Sequence, residues 1–432
     1  MRSVWGGLLT ILAVAPAAAQ QPAVQPVEVT LNEAIERALQ VQPAMVQARG
    51  DESNAGAAMR ASLGSYLPTL TTGGSSQRNG GTRFNSTTGQ IVTAPASTSF
   101  NGGVSASVEL FDGFRRLADV RASHATQNAA EAGVTNQRFQ VTLLTKQAFY
   151  NALATNELVR VAQSQVARAE QQLRISIDKL HAGSATRSDS LRSVVDYGNA
   201  RIALLQAQAN LATAQANLGR QIGVDGPVGA VPDTALPPFP DTTTLRQAVI
   251  DNAPQVQQAD AQARAAGAQV GVSRAVYWPS LSASVSSSYS GSVAPWTSTD
   301  SYLNGWSVRF SASWTLFNGF SREKSISSAV VARDVADAKA ADTRRQVSAQ
   351  LTQQLAALAT AYEKIAIAQA NVAAATEDLR VQNERYRVGA ATMLDLLTSQ
   401  SALTTAEQNR VQVRLDYLIA RAQVEAVVGR TL

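Results

Sequence analysis

The chain has no cysteine and only two histidines, His124 and His181. Disulfides, thiolate metal sites and a lipid-modified N-terminal Cys are thereby excluded, and a histidine-based metal cluster has too few ligands. Beyond the N-terminal residues there is no run of 18 apolar residues, so a helical membrane span is not expected. Charge of one sign is also scarce. The 37 basic and 32 acidic residues leave a net charge of +5 scattered along the chain, which reads as solvated helix faces and not as a nucleic-acid surface. No Gly-rich phosphate loop, nucleophile–base set or pair of catalytic carboxylates stands out, so neither an enzyme nor a cofactor is expected.

The first residues read as a secretory leader. Arg2 is a thin positive region, Val4 to Val14 an apolar run, and Ala17-Ala18-Ala19 a small-residue cleavage site. Residues 1–19 are expected to be a signal peptide, with the mature chain starting near Gln20.

The rest of the chain is duplicated. Leu110-Phe111-Asp112-Gly113-Phe114 recurs 206 positions later as Leu316-Phe317-Asn318-Gly319-Phe320, with Ser-Ala-Ser before both. The same offset links Gly183 to Gly389, Asp189 to Asp395 and Gly223 to Gly429. Upstream, Tyr66-Leu67-Pro68 matches Tyr277-Trp278-Pro279, and Pro43 matches Pro254, at the slightly larger offset of 211. Fixed-offset similarity of this kind marks a repeated unit. Residues 20–223 and 245–432 form the two copies. Residues 224–244 between them are a proline-rich linker that can be neither helix nor central strand.

Each copy has one layout. A short helix starts at Thr30-Leu31 or Thr244-Leu245 and breaks at Pro43 or Pro254. A second helix ends at the Tyr-x-Pro. A strand pair follows, at about 67–111 or 279–317, and then a long proline-free stretch to Gly183 or Gly389. There the glycine permits a reversal into a last helix.

Leu281, Ala283, Val285 and Tyr289 alternate with serines. Val308, Phe310, Ala312, Trp314 and Leu316 alternate with Arg309, Ser311, Ser313 and Thr315. In the first copy Val104, Ala106, Val108 and Leu110 alternate with Ser105, Ser107 and Glu109, while the partner run from Leu70 to Ser76 is weakly patterned. Runs of this length with one apolar face suit outer-membrane barrel strands, although a soluble half-buried sheet has the same period. Gly73–Gly103 and Ser290–Gly305 read as polar external loops. Four strands cannot close a barrel, so a membrane reading demands several copies.

Gly113 to Gly183 and Gly319 to Gly389 each span 70 residues, about 100 Å as helix. The two shorter helices of each copy, stacked end to end, nearly match that length, with the linker at mid-height. Leu204, Ala207, Leu211, Ala214 and Leu218 form a heptad seam, repeated as Val413, Tyr417, Ala420 and Val424. The expected fold is therefore mainly α with a small β part.

These residues, together with Tyr386-Arg387-Val388-Gly389-Ala390-Ala391-Thr392 at the second reversal, resemble the TolC family of outer-membrane efflux and secretion channels over the whole mature chain. The resemblance implies a homotrimer pooling its strands into a 12-stranded barrel in the outer membrane, continuous with a helical tunnel through the periplasm. It implies a periplasmic adaptor meeting tips at Gly183, Ser184, Ala185, Gly389, Ala390 and Ala391, and an inner-membrane RND pump or ABC exporter. It also implies a gate: Asp395 as a carboxylate ring, with Tyr386 and Asp189 in a latch. Two positions depart from the family pattern: Ala391 stands where a basic latch residue is common, and Thr398 where a second acidic ring is. A looser or differently built gate with one ring is expected.

Thr186-x-x-Asp189 and Thr392-x-x-Asp395 also read as capping boxes, in which the acid satisfies helix N–H groups. His181 reads as a solvent-exposed histidine near a tip. The competing reading of the whole chain is an exported trimeric coiled-coil stalk without a lumen, which has no need of alternating strands.

Overall fold

The computed structural model describes residues 27–232, 236–240, 250–297 and 302–432. The expected leader and the helix start at Thr244-Leu245 lie outside them. In chain order the elements are β1 (Val27–Val29), α1 (Leu31–Val41), α2 (Pro43–Gly64), β2 (Thr69–Asn85), β3 (Gln90–Phe111), α3 (Arg115–His181), α4 (Arg187–Ile222) and β4 (Val228–Ala230). Then come α5 (Pro254–Arg274), β5 (Ser280–Gly291), β6 (Leu303–Ser313), α6 (Ser321–Arg387) and α7 (Met393–Val428).

The duplication is visible element by element. α3 and α6 have 67 residues each, about 100 Å of helix, and α4 and α7 have 36 each. Both long helices start from the same device. Asp112 accepts the Arg116 N–H at 2.9 Å, and Asn318 accepts the Arg322 N–H at 3.4 Å. Phe114 and Phe320 are both left-handed, with φ of 66° and 65°. Gly113 is required by contact as well as by conformation: an added Cβ would lie 2.5 Å from Trp278 Cβ and 2.6 Å from the Ala275 carbonyl. The Leu-Phe-(Asp/Asn)-Gly-Phe motif is thus a strand-to-helix corner.

The break between α1 and α2 falls at Gln42, whose extended backbone (ψ 127°) is what a residue before proline prefers. Within the linker, β4 pairs in parallel with β1, a feature the proline content concealed. The linker also docks downstream: Leu236 and Phe239 pack against Leu355, Leu358 and Tyr417. The Tyr417 hydroxyl donates to the Pro237 carbonyl at 2.9 Å. One core lies here and another where α1, β1, β4 and the end of α4 meet the middle of α3 around Phe149, Leu218 and Ile222. Buried charge accompanies them. Glu425 binds both Lys146 and Arg421, and Arg421 reaches the Pro238 carbonyl at 3.2 Å. In the expected heptad seams Ala214, Leu218, Tyr417, Ala420 and Val424 are buried, whereas Leu204, Ala207, Leu211 and Val413 are half-buried.

The four long strands form one antiparallel sheet in the order β2-β3-β5-β6. Its register gathers the apolar side chains on one face. Ala106 stands opposite Val285, Val108 opposite Ala283, Ala283 opposite Phe310 and Val285 opposite Val308. Ser105, Ser107, Ser284, Ser286, Ser307 and Arg309 fall on the other face. Two sequence expectations need correction. Gly73–Gly103 is not a loop, because β2 and β3 remain paired out to Asn85 and Gln90. Backbone pairing needs no apolar side chain, so a Gly/Ser/Thr-rich ribbon can be strand throughout. Trp314 and Leu316 lie beyond β6, which ends at Ser313. There Arg322 takes the Thr315 and Leu316 carbonyls and Trp314 Nε1 donates to the Tyr277 carbonyl, turning the chain towards α6.

Candidate functional site

The two helical hairpins end in turns built alike. In the first, Gly183 N–H donates to the Leu180 carbonyl at 3.1 Å and Ser184 N–H to the Lys179 carbonyl at 2.8 Å. In the second, Gly389 N–H donates to the Tyr386 carbonyl at 3.3 Å and Ala390 N–H to the Arg385 carbonyl at 2.8 Å. Gly183 and Gly389 are left-handed (φ 66° and 79°), which satisfies the last helical carbonyls and reverses the chain. Gly183, Ser184, Gly389 and Ala390 are exposed; Ala185 and Ala391 are half-buried. His181 is exposed, as read.

Both capping boxes are present. Asp189 accepts the Thr186 N–H at 3.2 Å and its hydroxyl at 2.7 Å, while Asp189 N–H donates back to Thr186 Oγ1. Asp395 makes the same contacts with Thr392, at 2.9 and 2.7 Å. The Thr392 hydroxyl and N–H, with the Arg385 charge nearby, hold the Asp395 carboxyl below the usual carboxylate range. Asp395 and Thr398 are exposed on α7.

Tyr386 is only 8% exposed, and burial raises its phenol, with the charge of Asp189 adding to the effect. The structure therefore brings Tyr386 and Asp189 into one neighbourhood. No hydrogen bond joins them among the described residues: Thr186 takes Asp189 Oδ2, and the Asp189 charge acts on Tyr386 only by disfavouring its phenolate.

Sequence reasoning missed the contacts that tie one hairpin to the other. Lys179 Nζ donates to the Tyr386 carbonyl at 2.6 Å and lies 4.0 Å from the centre of its ring. Higher up, Arg168 meets Glu407 at 2.9 Å and the Thr404 hydroxyl at 3.2 Å. Between them Gln172 Nε2 on α3 donates to Met393 Sδ on α7 at 3.6 Å. None of these partners is close in sequence, so no local pattern announces them. Among the described residues no group of three or more His, Cys, Asp or Glu could hold a metal ion.

Three further surfaces are unpartnered within the chain. α4 carries an exposed stripe of Leu191, Val195, Ile202 and Leu205 at heptad spacing. Opposite in character, α6 and α7 enclose an open groove of about 1020 Å³ floored by Ile367, Ala374, Ala375 and Ala402. The sheet likewise leaves Leu70, Trp306 and Phe310 exposed on its apolar face, Trp306 at 79%. No described helix is long and apolar enough to cross a membrane.

The profile of the outer membrane efflux protein family matches residues 34–224 and 245–430. The chain is 30% identical to the pyoverdine export outer membrane protein OpmQ of Pseudomonas aeruginosa, over 77% of this chain and 69% of that protein. It is 24% identical to the probable efflux pump outer membrane protein TtgC of Pseudomonas putida, over 72% of this chain; the match spans 63% of that relative's length. Among solved structures it superposes on the CmeC outer membrane channel of Campylobacter jejuni with a TM-score of 0.78 at 19% identity, covering 92% of this chain and 85% of that one. The outer membrane protein VceC of Vibrio cholerae gives 0.76 at 17% identity, covering 93% and 96%. The fold is that of these outer-membrane channels, a helical hairpin body carrying a small sheet. The chain belongs to the outer membrane efflux protein family.

Proposed function

We propose that this chain is one protomer of a homotrimeric exit duct. Its sheets pool into a 12-stranded barrel in the outer membrane, and its helical hairpins form a tunnel through the periplasm. The observation that carries this reading is the sheet. One face is apolar and exposed, both edge strands, β2 and β6, lack a second partner among the described residues, and helices about 100 Å long start from the same corners. A membrane-spanning sheet has to close. Four strands close only by joining further copies, β6 of one to β2 of the next.

The helices supply a matching seam. Positions 191–205 on α4 and 397–411 on α7 are equivalent in the repeat, so the α4 stripe stands at the height of the α6–α7 groove. The neighbour's α4 fills that groove.

The duct is a passive conduit. A leader at 1–19 exports the chain, a periplasmic adaptor meets the tips at Gly183–Ala185 and Gly389–Ala391, and an RND pump or ABC exporter of the inner membrane loads it. Asp395 from three copies forms a carboxylate ring at the entrance. The names of the relatives, efflux-pump and export proteins of the outer membrane, support this reading over a lumen-free stalk, which would leave the apolar sheet face without a purpose. Native mass spectrometry of the detergent-solubilised protein tests it. Three copies per particle are expected, and a folded, stable monomer would overturn it.

A further inference from the structure

We infer that each chain holds one anionic membrane lipid on the apolar face of its sheet, with an acyl chain lodged in an aromatic-walled hollow and the phosphate at Arg78. The inference rests on the barrel reading, in which that face meets the bilayer.

The hollow follows from the register. On the apolar face Gly74, Gly102 and Tyr289 form one row across β2, β3 and β5, and Ser76, Phe100 and Gly291 form the next. Tyr289 and Phe100 therefore stand over a floor of glycine. Residues beyond β5 raise the rim. The Trp296 ring meets Phe100 edge-on, with centroids 5.9 Å apart. The Tyr302 ring lies over Gly291, where an added Cβ would come within 2.8 Å of it, and its hydroxyl donates to the Val293 carbonyl at 2.7 Å. These groups enclose about 650 Å³. With the Tyr302 hydroxyl spent on the backbone, the walls offer ring surface, which suits hydrocarbon.

Nothing inside the chain requires the floor glycines. Neither Gly74 nor Gly102 has a positive φ. A Cβ on Gly74 would come no closer than 3.7 Å, to the Asn101 carbonyl, and one on Gly102 no closer than 4.0 Å, to the Gly73 carbonyl. Glycine inside a strand weakens it and often marks the close approach of a ligand.

The height fits a lipid. β5 has 12 residues, enough for a membrane-crossing strand, and the hollow lies at its end away from the helices. β2 and β3 continue past it to Asn85 and Gln90. Arg78 stands two residues beyond Ser76 on the same face, exposed and without an ion pair among the described residues. A cation just above an apolar hollow repeats the order of a lipid, phosphate above chain.

Native mass spectrometry of the oligomer released from vesicles of equal phosphatidylglycerol and phosphatidylcholine tests this. Wild type is expected to retain one lipid per chain, mostly phosphatidylglycerol. Gly74→Leu and Gly102→Leu fill the hollow and should abolish retention. Gly73→Leu adds the same bulk to the opposite face, where a Cβ meets nothing within 4 Å, and should preserve it. Arg78→Gln should lower the preference for phosphatidylglycerol about fivefold while lipid is still retained. Helix content and particle mass of each variant control for misfolding. Wild type free of lipid, or equal retention in Gly74→Leu and Gly73→Leu, overturns the site and leaves the duct. A preference unchanged in Arg78→Gln overturns the phosphate contact. Protein that never enters the vesicles removes the barrel reading and the lipid with it.

Discussion

Asp395 and Thr392 hold each other at the start of α7: the carboxylate takes both the hydroxyl and the N–H of Thr392, and the hydroxyl takes the N–H of Asp395. The cap explains why this exposed carboxylate keeps its charge. It also separates two roles that one substitution would otherwise confuse. Asp189 makes the same cap with Thr186 in the other hairpin, so the pair serves as an internal comparison.

Both Asp395→Ala and Asp189→Ala should lower the thermal midpoint, since each frees helix N–H groups. The Asp395 value is depressed in the folded state, so its contribution is in place above the unfolded carboxylate value. It disappears as pH falls through the folded one. Thermal melts of wild type and Asp395→Ala should therefore converge at acid pH and diverge near neutrality. A gap that persists in acid would show that the side chain acts by something other than its charge.

Phe310 stands opposite Ala283 in the middle of the exposed apolar face. Phe310→Arg should cost about 2–4 kcal/mol of membrane assembly, whereas Ser282→Arg on the polar face should cost far less. The fraction of protein recovered as membrane-embedded oligomer measures both. Equal losses would mean that the faces have been assigned the wrong environments.

Ile202 lies in the α4 stripe, away from the chain's own cores. Ile202→Asp should dissociate the oligomer while circular dichroism keeps the helical signal. Unaltered particle mass would place the stripe somewhere other than a subunit seam.

Lys146 and Glu425 form a buried pair joining the middle of α3 to the end of α7, with exposures of 12% and 11%. Lys146→Met leaves Glu425 with Arg421 alone and should cost about 3 kcal/mol. The denaturant midpoint of unfolding gives the comparison, and a negligible shift would reduce the pair to a surface contact.

The long helices, the reversal turns and both capping boxes were legible because each rests on residues within a turn of one another: Thr186 with Asp189, or Gly183 with Leu180. The second strand pair was legible because Ala283, Val285, Val308 and Phe310 alternate with polar residues. β2 was not, since Gly73, Gly74, Gly80 and Gly81 carry no period. Its register comes only from β3. β4 was hidden by the prolines around it, although three residues between Pro227 and Pro232 suffice for a short edge pairing with β1. The inter-hairpin contacts were beyond sequence reasoning for a different reason. Lys179 recognises a carbonyl 207 residues away, a group every residue possesses. Ala391, where the family resemblance led one to expect a basic latch residue, is half-buried and uncharged, and the cation at this level comes from the other hairpin.

The central claim is that copies of this chain enclose a continuous conducting path. Single-channel recording of the purified oligomer in a planar bilayer tests it most directly. Small, cation-preferring conductance is predicted, blocked by multivalent cations in the wild type and released from that block in Asp395→Ala. Protein shown to be trimeric and folded that passes no current under any condition would contradict the account.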